Sequence, residues 1–90
     1  DARLAAVMRF VDAEAEDWLG YVFVARDFLG EPYATAEAVP AWYAVDTIPF
    51  EEMWEDDRIW LPRILAGERL RGDFLFRQGR LLAWTLAPLD

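Results

Sequence analysis

The sequence predicts an α/β or α+β sheet protein with about five strands and a single clear helix. Three observations point there. The segment "RLRGDFLFRQGRLLAWTL", residues 69 to 86, alternates apolar and polar positions around Gln78-Gly79. The stretch from Trp18 to Phe28 is rich in aromatic and β-branched residues, the composition of strands. Between them, one stretch has helix punctuation, with acids at its start and Gly67 at its end.

In chain order, Leu4 to Val11 ("LAAVMRFV") reads as a strand, and the acidic "DAEAED" after it as an exposed turn. Trp18 to Phe28 then completes a hairpin. "LGEPYATAEAVP" carries Gly30, Pro32 and Pro40 as breakers and reads as a loop. "AWYAV", residues 41 to 45, reads as a short strand. Asp56 or Asp57 is a natural N-cap for a helix over roughly 57 to 66, with Gly67 as its stop. Pro62 falls inside that helix, where it removes the hydrogen bond to the Arg58 carbonyl and kinks the first turns. In the last hairpin Leu70, Gly72, Phe74 and Phe76 share one face, and Arg71, Asp73 and Arg77 the other. Gln78-Gly79 supplies the tight turn.

Composition excludes several chemistries. The 90 residues contain no Cys, His, Ser, Lys or Asn. Ser-His-Asp and Cys-His arrangements, a Schiff-base lysine and a His/Cys zinc site are therefore impossible within this chain. Chemistry here would fall to carboxylates with a hard metal. The absence of Cys is compatible with a cytoplasmic location. A net charge of −8 repels a nucleic-acid backbone, so polymeric DNA or RNA is not an expected partner. A phosphorylated small molecule is compatible if Mg²⁺ screens the charge. No apolar run approaches the roughly 20 residues of a membrane span, so no membrane partner is expected. An apolar share of 56% supplies material for one packed domain, and a monomer is expected.

The stretch "PFEEMWEDDRIWLP", residues 49 to 62, is unusual in setting Trp54 and Trp60 among Glu51, Glu52, Glu55, Asp56 and Asp57. The bland readings are specific. Asp56 and Asp57 suit an N-cap and the helix dipole. Trp54 and Trp60 suit core packing, as do Trp42, Phe50 and Phe74. Glu51, Glu52 and Glu55 suit a solvated face, and Glu14, Glu16 and Asp17 an exposed turn.

"AWYAVDTIPFEEMWEDDRIWLPRILAGERLRGDFLF" resembles the C-terminal half of Nudix hydrolases. The subgroup is the MutT homologues that hydrolyse oxidised purine nucleoside triphosphates such as 8-oxo-dGTP. The similarity runs from about Trp18 to Leu86, and more loosely back to Leu4. "IPFEEMWEDDRIWLP" followed by "GDFLF" carries its most specific part. The Nudix box, G-x5-E-x7-R-E-U-x-E-E-x-G-U with U aliphatic, does not occur in these residues. By similarity it belongs immediately before Leu4, so residues 1 to 90 are expected to be the C-terminal part of a single Nudix domain.

The resemblance implies an α/β sandwich, a mixed sheet flanked by helices and incomplete in this chain. It implies a Mg²⁺-dependent pyrophosphohydrolase that releases nucleoside monophosphate and pyrophosphate. Its catalytic glutamates match no position here. By the same resemblance Trp54 is an aromatic wall against the purine ring, and Asp56 and Asp57 read its edge. Met8 and Trp18 line the base pocket, and Glu37 lies near the metals.

The physical logic of such a pair is that two adjacent carboxylates in an apolar pocket do not both ionise readily. One is then a donor and its neighbour an acceptor, which suits a lactam edge. Two alternatives stand beside this reading. One is a Nudix-like domain with a degenerate box that binds a nucleotide or protein without turnover. The other is an unrelated acidic interaction module anchored by Trp54 and Trp60.

Overall fold

The computed structural model of the chain describes residues 2–26, 29–31, 33–36 and 38–89. These form a mixed four-stranded sheet, an α/β arrangement with strand order β2-β1-β3-β4. The strands are β1 (Ala2–Asp12), β2 (Trp18–Ala25), β3 (Leu70–Arg77) and β4 (Arg80–Pro88). The helix α1 (Asp57–Leu65) precedes β3. β1 pairs antiparallel with β2 and parallel with β3, and β3 pairs antiparallel with β4. A parallel neighbour requires a long crossover, which the loop and α1 supply. No helix among the described residues is long and apolar enough to cross a membrane.

The period-two pattern of β3 is realised residue by residue, with Leu70, Gly72, Phe74 and Phe76 buried and the residues between them exposed. The register sets Trp18, Phe10, Phe74 and Trp84 in one cross-strand row, and Gly20, Met8, Gly72 and Leu86 in the next. Glycine is needed at position 72, because a Cβ there would lie 2.7 Å from Leu86 Cδ2 and 3.1 Å from the Thr85 carbonyl. A bulge between Leu4 and Ala6 turns both Ala5 and Ala6 inward, as an extra residue in one strand does. The other face of the sheet carries the Arg9–Asp73 ion pair at 3.0 Å and exposed Leu19, Tyr21 and Phe23.

The turn between β3 and β4 has Gln78 at φ 50° and Gly79 at φ 78°. Two successive left-handed residues match the twist of a tight hairpin. α1 ends as Gly67 implies: its φ is +101°, its N–H donates to the Ile64 carbonyl and the Glu68 backbone N–H to the Arg63 carbonyl, each at 3.0 Å. That is the Schellman pattern. Pro62 lies within the helix. The core gathers Ala6, Met8, Leu70 and Phe74 from the sheet with Ile64 from α1, and Ile59 and Trp60 pack against it.

Three expectations are corrected. "AWYAV" is not a strand. Residues 41–44 are irregular and Val45–Thr47 forms a single 3₁₀ turn. Among the described residues the sheet pairs only β1 to β4, so β-propensity there is not realised, and Trp42, with 69% of its surface exposed, lies outside the core. Asp56 occupies the N-cap position, but its backbone is already helical and its side chain makes no cap hydrogen bond. β2 ends at Ala25; Asp27 and Phe28, at the end of the expected strand, lie outside the described residues, as do Pro32 and Glu37.

Candidate functional site

At one end of the sheet, a cavity of about 400 Å³ opens between β1, β2 and the start of α1. Small-molecule clefts span ~300–1,000 Å³, so it has room for a compact flat ligand. Its walls are aromatic: Phe10, Trp18, Trp54, Trp60 and Phe76 line it. Phe10 stacks on Phe74 at 5.6 Å and leans toward Phe76 at 6.4 Å. Trp54 meets Phe76 edge-on, with centroids 5.6 Å apart and planes at 86°. This is a favoured aromatic geometry, and it leaves 63% of Trp54 exposed. Gly20 also lines the space, and a Cβ on it would sit 3.2 Å from the Phe10 ring.

Asp56 and Asp57 face this cavity from the first turn of α1. That turn is closed by the backbone: Asp57 N–H donates to the Trp54 carbonyl at 3.1 Å, and Ile59 N–H to the Asp56 carbonyl at 2.9 Å. Freed from capping, the Asp56 side chain turns inward and is only 4% exposed. Its Oδ2 accepts the Trp60 indole N–H at 2.7 Å. Indole nitrogen is a donor only, so Oδ2 of Asp56 is taken up as the acceptor of this bond.

Asp57 is half-buried, and its carboxyl is pushed up from 3.8 to about 6. Burial is the largest cause and the neighbouring Asp56 the second; a hydrogen bond from the Trp54 backbone opposes both. The two acids are thus unlike: one is locked by a tryptophan, and the other retains its proton into the mildly acidic range.

Trp18, Trp54, Asp56 and Asp57 are therefore brought together, as the sequence reading grouped them. Met8 is not: it is fully buried, and its register partner Gly20 lines the cavity instead. Glu37 lies outside the described residues. Among the described residues no group of three or more His, Cys, Asp or Glu could hold a metal ion. The Mg²⁺ implied by the resemblance is therefore assigned to no side chain.

Sequence reasoning missed Phe10 and Phe76, which the strand register brings to the cavity wall. Trp60, read as core, does pack against the core and also lines the cavity. The available signal was its spacing, since positions 56 and 60 are one helical turn apart and share a face. Glu55, read as solvated, accepts the Leu81 backbone N–H at 2.8 Å and Arg80 Nε at 3.1 Å.

Comparison with known proteins matches part of this chain to part of two longer ones. No protein-family model matches the sequence. The chain is 40% identical over 57 residues to the oxidized purine nucleoside triphosphate hydrolase of Danio rerio, a stretch covering 63% of this chain and 36% of that protein. It is 34% identical over 71 residues to the mouse (Mus musculus) protein of the same name, covering 78% of this chain and 46% of the mouse protein. The chain thus spans less than half the length of the curated relatives that it matches.

Proposed function

We propose that this chain is the base-recognising part of a Nudix-type hydrolase. It would act on oxidised purine nucleoside triphosphates and release nucleoside monophosphate and pyrophosphate. The observation that carries the proposal is the convergence of Trp54, Asp56 and Asp57 on one aromatic cavity. The partial likeness to two hydrolases of that name supports it.

Each side chain has a role in this reading. Trp54 offers its open face to a purine ring. Asp56, held by Trp60, accepts a hydrogen bond from the base. Asp57 donates one when protonated. A base lacking the matching group leaves a buried polar atom unpaired, at a cost of about 1–3 kcal/mol.

Charge decides which end of the nucleotide enters. Asp12, Glu16, Asp56 and Asp57 line the cavity and no arginine does, so it suits a neutral base and repels a triphosphate. The phosphates would point away. Water attacks a phosphorus, and the bond to the departing pyrophosphate breaks. Mg²⁺ would offset phosphate charge, held by box glutamates beyond these residues, with Glu37 nearby. Glu37→Gln is expected to weaken the Mg²⁺ dependence of turnover; an unchanged Mg²⁺ titration would leave Glu37 an ordinary loop acid.

The test is to incubate the full-length protein with 8-oxo-dGTP and Mg²⁺ and follow the products by ³¹P NMR. Pyrophosphate and monophosphate are expected. Orthophosphate release contradicts the proposal, and tight binding without turnover points to the non-catalytic alternative.

A further inference from the structure

We infer that Glu55 is a positioning residue for the cavity. It clips the Trp54–Asp57 segment to the β3–β4 hairpin and so sets the angle at which Trp54 faces the ligand space. The inference deepens the reading of Trp54 as the wall for a purine.

The geometry is a two-point grip on one cross-strand pair. Phe76 and Leu81 are register partners across β3 and β4. Trp54 rests edge-on against Phe76, and the next residue, Glu55, takes the Leu81 backbone N–H at 2.8 Å. An aromatic edge contact alone leaves a ring free to rock. A second attachment one residue away, to the partner of the first, removes that freedom.

β4 is an edge strand, and edge N–H groups have no neighbouring strand to satisfy them. The Leu81 N–H is such a donor, which makes it available to a side chain. The same carboxylate oxygen accepts Arg80 Nε at 3.1 Å, so the clip spans two adjacent residues of β4. Charge-assisted bonds of this kind are shorter and stronger than neutral ones. The Glu55 carboxyl is held below its usual range, first by the Leu81 hydrogen bond and then by Arg80. Glu51 and Glu52, by contrast, are exposed, whereas the Glu55 carboxylate is directed at β4.

The test uses the full-length protein labelled with 5-fluorotryptophan, the Trp54 signal being assigned by its loss in Trp54→Phe. Glu55→Ala is expected to shift or broaden that signal while the other tryptophan signals hold. KM for 8-oxo-dGTP should rise about tenfold, with kcat changed by less than about twofold. Glu55→Gln keeps an amide oxygen for the Leu81 N–H and should recover most of the loss.

A Trp54 signal unmoved in Glu55→Ala overturns the inference, even if the melting temperature falls. So does a Gln variant that behaves like Ala, because the effect would then be one of surface charge. If the unaltered protein does not bind purine nucleotides, the functional reading fails, and the fluorine signal still decides the role of Glu55.

Discussion

Trp60 donates its indole N–H to Asp56 across one turn of α1, at 2.7 Å. The bond explains why a residue at the N-cap position does not cap, and why two adjacent aspartates are not equivalent. Oδ2 of Asp56 is held as an acceptor by a partner that can only donate. Asp57 faces the cavity with its proton held more tightly than usual.

Trp60→Phe keeps the ring but removes that donor, leaving a carboxylate that is 4% exposed without its indole. A loss of about 1–3 kcal/mol is expected, the cost of a buried group left unpaired. Urea unfolding of Trp60→Phe, Asp56→Ala and the double variant measures it as a coupling energy of about 0.5–3 kcal/mol. Strict additivity would mean that the bond contributes nothing.

Asp57 gives a pH dependence whose sign is fixed. Its folded pKa of about 6 lies above the ordinary 3.8, so the folded state binds the proton more tightly than the unfolded chain. The associated stability is fully present below 3.8 and is lost as pH rises through about 6. Asp57→Asn cannot ionise and lacks this decline. Thermal melts from about pH 4 to about pH 7 should show the variant gaining on the parent as pH rises. A constant difference across that range contradicts the assignment.

Gly72→Ala tests the packing of the sheet's buried face. The added methyl would meet Leu86 Cδ2 at 2.7 Å and the Thr85 carbonyl at 3.1 Å, and backbone cannot yield as a side chain can. A destabilisation of about 1–3 kcal/mol is expected. Gly79→Ala gives a contrast, since the Cβ meets nothing within 4 Å and the penalty there comes from φ +78° alone.

What was legible in the sequence was what is encoded locally. β3 was readable because its alternation is its burial pattern, and the end of α1 because Gly67 is the residue that a left-handed stop requires. "AWYAV" was misread because propensity says nothing about whether a strand has a neighbour. That the Asp56 side chain does not cap was not legible, because capping is a local pattern whereas the side chain's burial and its bond to the Trp60 indole depend on packing. Phe10 and Phe76 reach the cavity through strand register, and Glu55 through a partner 26 residues away; neither relation has a local signature. The grouping of Trp54, Asp56 and Asp57 was read from a resemblance, not from spacing alone.

The most direct measurement is substrate discrimination in the full-length protein. kcat/KM is determined for 8-oxo-dGTP and dGTP with the parent, Asp56→Asn, Asp57→Asn and Trp54→Ala. Each Asn variant should change the ratio of the two values by about tenfold or more, the factor that about 1.4 kcal/mol implies. Trp54→Ala should weaken both substrates together, because stacking discriminates less than hydrogen bonding. If both Asn variants lose only thermal stability and keep the parent ratio, the acids serve the helix and not the base, and the proposed recognition is wrong.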